Sequence, residues 1–236
     1  MCFYNSYSKR ALDLAKRYSR KTDLLEIVQE IIDEQYKITA FTHPECPVVT
    51  HHPDIRLAKW GLIPHWVKSE ADASKLRMMY INARSETVFN LPSFRTPILR
   101  HRCLIPSTGY FEFHHFGKEV IPHYIFLRDE SIFSMGGIVE SWKNPSTDET
   151  VQTFAVLTTT ANSLCAAIHN GGKNPNRMPV IIPRENEERW LDHSLKTNEI
   201  SDFFLPFDTD RMNAYPIAGD FLKMNPKNPS IIKSAA

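Results

Sequence analysis

Apolar residues recur at helical spacing near the start of the chain and then give way to short strand-like runs. Residues 8–20 (SKRALDLAKRYSR) and 22–35 (TDLLEIVQEIIDEQ) predict two helices, with Leu12, Leu14, Leu24, Ile27, Ile31 and Ile32 facing inward. Residues 56–63 (RLAKWGLI) predict a strand running into a turn at Pro64. MMYIN at 78–82 reads as a short extended run, and ARSETVFN after it has helical character. Pro92 and Pro97 bracket an SFR segment that looks exposed.

The middle of the chain is dense in strand signals. RCLIPSTGYFEFHHF, HYIFLRD, SIFSMGGIVESW and VQTFAVLTTT combine β-branched and aromatic residues, with turn residues between them. ANSLCAAIHN then predicts a short helix, GGKNPN a loop, RMPVIIP a strand and RENEERWLD a helix, with the acidic NEISDFFLP after it. MNAYPIA adds a last strand, and the end, KMNPKNPSIIKSAA, reads as loosely held. No low-complexity linker interrupts the series. The expected fold is therefore a single α+β domain over residues 1–225, with a loosely ordered tail at 226–236. Its sheet should be mostly antiparallel, curved or barrel-like, with flanking helices.

Composition narrows this little. The 236 residues suffice for one sizeable domain, and 42% hydrophobic with 23% charged residues is ordinary for a protein with a real core. Sixteen prolines against eight glycines point to many fixed turns and away from long helical repeats. No apolar run is long enough to cross a bilayer, and the N-terminus lacks the apolar core of a secretory signal, so a cytoplasmic setting is expected. A net charge of +1 does not advertise a polyanion partner, although a local basic groove can sit on a neutral protein. Cys2, Cys46, Cys103 and Cys165 form no C-x-x-C pair and read as reduced thiols. His51 and His52 near Cys46 read as loop residues, since no second cysteine stands at zinc-finger spacing. No metal and no cofactor are expected.

Cys2 draws attention by position. Methionine aminopeptidases remove Met1 when the second residue is as small as cysteine, which would leave an α-amine and a thiol on one residue. Such an amine has a pKa of about 7.7–8.0 and the thiol about 8.5, so both nucleophiles are accessible near neutrality. With an aldehyde, the amine makes a Schiff base and the sulfur closes a five-membered thiazolidine. Position alone does not distinguish this from an ordinary second residue.

Other segments do. WGLIPHW (60–66), INARSET (81–87), SFRTPILRHRCLIPSTGYFEF (93–113) and TTTAN with IHN and RMPVII (158–182) follow Cys2 in one order. Together they resemble the SRAP family of abasic site processing proteins, from Cys2 to about Trp190. The resemblance implies covalent capture of an abasic deoxyribose in single-stranded DNA by an N-terminal cysteine. It further implies DNA-damage repair linked to the SOS response, peptidase-like self-cleavage ahead of Cys2, and lyase or crosslink-reversal activity. It implies that Asn82 holds the cysteine terminus, that Glu112 is the catalytic carboxylate, and that His169 assists ring opening of the sugar. It also implies a phosphate contact for Arg84 and a DNA surface that includes Trp60, Trp66, Phe94 and Arg95. The residue types suit the chemistry: a carboxylate and an imidazole can shuttle the protons of iminium formation, and an amide can orient a nucleophile without adding charge.

Taken one at a time, these residues have plainer readings. Glu112 could be a solvent-facing strand residue, His169 a helix cap, Asn82 a strand terminator, the tryptophans core, and Arg102 structural. Three features depart from the family pattern, the first being a helical stretch at 8–35 longer than a minimal member requires. Phe3-Tyr4 stands where Gly-Arg is common, and GGKNPN lengthens the gap between His169 and Arg177. If that loop bulges outward, His169 keeps its role. The expected state is a monomer without membrane or metal partners, nucleoid-associated when on DNA. Two other readings compete: an N-terminal-nucleophile cysteine amidohydrolase, and a non-covalent single-strand-binding module with an inert Cys2.

Overall fold

Continuous burial along the central strands, on both faces, sets the architecture. In the computed structural model, which describes residues 2–9, 11–21 and 35–235, two sheets pack face to face. The smaller contains β1 (Tyr4–Tyr7), β2 (Gln35–Thr39), β7 (Gly109–Phe116), β8 (Glu119–Leu127) and β13 (Met212–Pro216), ordered β13-β8-β7-β1-β2. The larger runs β12-β9-β10-β4-β3, from β3 (Glu45–Val48), β4 (Arg56–Trp60), β9 (Phe133–Lys143), β10 (Thr150–Thr160) and β12 (Ile181–Ile182). To it are added β5 (Asn82–Arg84) and β11 (Arg177–Pro179) on β10, and β6 (Arg102–Ser107) on β9. Pairing is antiparallel except where β10 meets β4 and β5. This is the expected α+β domain with a mostly antiparallel sheet.

The main core lies between the sheets. Tyr7, Ile38, Tyr110, Ile125 and Leu127 from the smaller meet Trp60, Ile105, Phe133, Met135, Phe154 and Val156 from the larger. Each sheet's other face is also covered, so strands bury both parities. Phe111, beside Tyr110, packs outward with Tyr124, Phe221 and Ile231. Leu157, beside Val156, packs with Ile98, Trp190 and Ile200. Those three belong to the flanking helices α3 (Arg95–Arg100), α5 (Glu187–Leu191) and α6 (Thr197–Ser201); the other described α-helices are α1 (Ala11–Tyr18), α2 (Glu70–Met79) and α4 (Ser163–Ile168).

Several expectations need correction. On α1, Leu14 and Tyr18 are buried one turn apart, while Leu12 is exposed, because positions two apart on a helix lie roughly 200° apart. The predicted helix at 22–35 lies largely outside the described residues, and the one described position, Gln35, begins β2. Met78 and Met79 end α2 rather than starting a strand; Ser69 caps that helix by accepting the Asp72 N–H, and Tyr80 closes it. Residues 85–90 form successive turns, and the helix begins later, at Arg95. In the SFR segment Ser93 and Phe94 are buried. The strand at 56 stops at Trp60, since Gly61 takes φ +113° and any Cβ there would strike His43 and Arg77. The chain end is fastened: the Tyr36 N–H donates to the Pro226 carbonyl, the Ala235 N–H donates to that of Pro216, and Ile231 is buried.

Arg102 is structural. Its guanidinium lies under the Trp190 ring and donates to the carbonyls of Trp190, Ile98, Leu99 and Asp192, locking α3 and α5 onto β6.

Candidate active site

Strand register brings Cys2 and Glu112 together. β1 pairs antiparallel with β7, Asn5 opposite Tyr110, and continuing that register sets Phe3 opposite Glu112 with Cys2 next to it. Glu112 shares the parity of Tyr110, which points between the sheets, so the fold carries a carboxylate into an apolar interior. Burial pushes that carboxyl up to about 7, so near neutrality it holds its proton about half the time. Cys2 is fully buried in the same core, its Sγ 3.9 Å from the Tyr4 carbonyl. Burial, reinforced by the charge of Glu112, raises the Cys2 thiol well above its usual range and keeps it protonated.

His169 reaches the site from the other sheet's side. It caps the C-terminus of α4, where its N–H donates to the Cys165 carbonyl. Its Nδ1 lies 3.0 Å from the Arg177 carbonyl and 3.4 Å from the Arg177 backbone nitrogen; donation to the nearer carbonyl would put the proton on Nδ1 and leave Nε2 as an acceptor. Nε2 stands 3.9 Å from Glu112 Oε2. Burial lowers this imidazole to about 4, so it is neutral where Glu112 is half protonated. A carboxylic acid thus faces a neutral imidazole base, the combination that two-way proton transfer requires.

Asn82 is set by β5, whose register with β10 puts it beside Val156, a residue of the inter-sheet core. Its amide Nδ2 and Oδ1 are both buried and have no hydrogen-bond partner among the described residues. An unsatisfied buried amide is costly, about 1–3 kcal/mol per lost partner, and cavities that take a polar ligand retain such groups.

A cavity of about 280 Å³ opens beside these groups, lined by Phe3, Glu112, Phe113, His115, His169, Gly171, Gly172, Lys173 and Asn174. The GGKNPN loop forms one wall. The Asn176 N–H donates to the His169 carbonyl, so the extra residues bulge out and His169 keeps its place. Asn170 exchanges hydrogen bonds with the backbone of His115 on β7, and Asn174 accepts from Arg84. A second cavity, of about 190 Å³, is lined by His51, His52, His101 and Glu140 among others. Neither cavity is lined by a cysteine, but only the first takes in Glu112 and His169, and among the described residues no group of histidines, cysteines and carboxylates could hold a metal ion.

The other predicted residues divide. Arg84 is exposed at the end of β5, and Arg95 is exposed at the start of α3. Trp66 is 47% exposed. Trp60 and Phe94 are 1% and 3% exposed. Trp60 stacks on Phe154 and donates Nε1–H to the Ile81 carbonyl, and Phe94 packs edge-on against Tyr80, so neither offers a face to a nucleic acid. Sequence reasoning did not single out Phe3 as a cavity residue, nor Lys173 and Asn174, nor the Tyr110 hydroxyl bonded to Cys165 Sγ at 3.1 Å beneath the site. Phe3 was reachable by its adjacency to Cys2; the loop residues carried no signal of their own.

Comparison with known proteins follows the same lines. The sequence pattern of a family described as SOS response associated peptidase (SRAP) matches residues 1–223. The chain is 31% identical over 233 residues to the abasic site processing protein YoqW of Bacillus subtilis (strain 168), covering 92% of this chain and 98% of that one. It is 29% identical over 154 residues to the abasic site processing protein HMCES of Gallus gallus, covering 57% of this chain and 44% of that one. A crystal structure of a protein from Bacteroides thetaiotaomicron superposes with a TM-score of 0.97 at 48% identity over all of both chains. A Bordetella bronchiseptica protein shares the fold, with a TM-score of 0.77 at 22% identity over 92% of this chain and 100% of that one.

Proposed function

The chain belongs to the SOS response associated peptidase (SRAP) family, and from that premise we propose that it is an abasic site processing protein whose Cys2 captures the open-ring aldehyde in single-stranded DNA. The observation that carries the reading is that Cys2, buried in the core, adjoins Glu112, which in turn meets His169 at the wall of the cavity. Once Met1 is removed, whether by the site's own peptidase-like action or by an aminopeptidase, the Cys2 amine is the leading nucleophile. Its nitrogen attacks the sugar C1′, and the carbinolamine hydroxyl leaves as water, taking its proton from Glu112. The thiol then adds across the C=N bond: sulfur bonds to carbon and the thiol proton passes to nitrogen, which closes the thiazolidine. Before that, His169 Nε2 accepts the hydroxyl proton of the closed sugar while the Glu112 carboxyl protonates the ring oxygen, and the proton on His169 then passes to Glu112 to restore the acid. The open amide of Asn82 orients the aminothiol or the sugar. Reversal and β-elimination lie on the same Schiff-base path.

The protonated state of the Cys2 thiol favours this amine-first order. It weighs against the amidohydrolase reading, in which the thiolate attacks first. Arg84, Arg95 and Trp66 are available for DNA, with Arg84 releasing Asn174 to take a phosphate.

The test compares three single-stranded oligonucleotides: intact, abasic, and abasic reduced by borohydride to the alcohol. A heat-stable adduct is expected with the abasic strand alone. Equal retention of all three, with no adduct on a denaturing gel, would instead identify a non-covalent binder.

A further inference from the structure

Phe3 lines the catalytic cavity, yet its ring also leans on a second aromatic outside it. The Phe3 and Phe41 centroids are 5.1 Å apart with the rings tilted by 32°, and Phe41 is 46% exposed. A solvent-facing phenylalanine on a loose loop would mean little. This one is fixed. It sits in the single-turn 3-10 helix Ala40–Thr42, where Thr39 accepts the Phe41 N–H and the Ala40 N–H donates to the Phe3 carbonyl. The turn ends at His43, whose Nδ1 donates to the Trp60 carbonyl at 2.7 Å. Tyr4 buttresses Phe41 edge-on at 6.1 Å. Beyond it the strip continues to Met78, 49% exposed, whose sulfur meets His43 Nε2 at 3.1 Å.

We infer that Phe3 and Phe41 form a stacking shelf for the nucleobase that flanks the abasic sugar. The shelf begins inside the cavity that would hold the sugar and runs outward by about one nucleotide step, ~3.4 Å along a stacked strand and longer when the strand is splayed. A base beside an abasic position has lost a stacking neighbour, and an aromatic face replaces that neighbour whatever the base's identity. The shelf also bears on the Phe3-Tyr4 departure: where an arginine beside the cysteine would contact a phosphate, this chain presents uncharged rings and would grip the base. The inference rests on the covalent-capture reading.

The test uses the full-length protein and single-stranded oligonucleotides with one central abasic site. Each neighbouring position carries either a base or a baseless tetrahydrofuran spacer. Single-turnover adduct formation across protein concentrations separates the half-saturating concentration from the saturating rate. Removing the base on one side should raise the wild-type half-saturating concentration by roughly five- to a hundredfold, the range of base–aromatic stacking. Phe41→Ala should raise it comparably on the base-bearing strand, the two losses should overlap rather than add, and Phe41→Tyr should restore binding. A Phe41→Ala protein that matches wild type, or losses that add in full, would overturn the shelf. A wild type that forms no adduct would defeat the covalent reading instead. In that event, fluorescence anisotropy with a central spacer in place of the reactive site still compares wild type and Phe41→Ala, and equal affinities there would overturn the shelf.

Discussion

Cys2→Ala should reduce the heat-stable adduct with abasic single-stranded DNA to the level of a protein-free control. Alanine at this position is also compatible with Met1 removal, so the variant keeps the α-amine and loses only the sulfur. Schiff-base formation can therefore continue, but its product hydrolyses on heating because no thiol closes the ring. Borohydride added during the reaction should still trap the variant, since reduction makes the C–N bond permanent. This pair of outcomes separates the roles of the two nucleophiles. A Cys2→Ala protein that yields the heat-stable adduct without reductant would exclude the thiazolidine. The substitution leaves a small void in the core that holds Cys2, so a thermal melt should accompany it.

The second large effect concerns Glu112→Gln. Removing the acid while keeping its shape should slow adduct formation by about 10²–10⁴-fold, the usual worth of a positioned general acid or base. The same change should stabilise the fold at neutral pH. The Glu112 carboxyl is raised to about 7 in the folded protein, so the folded state binds the extra proton and stability falls as pH rises from about 4.5 towards 7. Over that interval the loss amounts to about 3 kcal/mol, at 1.36 kcal/mol per pKa unit. His169 has the opposite sign. Its folded value of about 4 lies below the usual 6.5, so its contribution is present above 6.5 and lost as pH falls towards 4. Between about 4.5 and 6.5 the two slopes cancel in the wild type. Glutamine removes only the first slope. The melting temperature of Glu112→Gln relative to wild type should thus climb by several degrees between pH 5 and pH 7.5. A difference that stays constant with pH would mean that Glu112 titrates as an ordinary exposed carboxylate.

That carboxylate illustrates what could be read from sequence. The aromatic content of GYFEFHHF identifies β7, and the resemblance of GYFEF to its family segment marks Glu112. Its burial was not legible, because a carboxylate between two aromatics reads as the water-facing position of a strand until the second sheet is placed over it. Trp60 and Phe94 failed for the converse reason: an aromatic that could wedge against DNA and one that fills a core are the same residue until the opposite layer is placed. The end of α2 was misread because Met78 and Met79 are apolar yet exposed, and only the Ser69 cap, nine residues upstream of Met78, announces a helix. The outward bulge of GGKNPN depends on Asn170 and Asn174 finding β7 and Arg84, contacts distant in sequence.

The most direct measurement is intact mass spectrometry of the protein after reaction with an abasic oligonucleotide, followed by peptide mapping. The predicted species is the Met1-less chain plus the oligonucleotide minus one water, with the linkage on the peptide that begins at Cys2. An adduct that retains Met1, or one linked through a lysine elsewhere in the chain, would contradict capture by the Cys2 aminothiol.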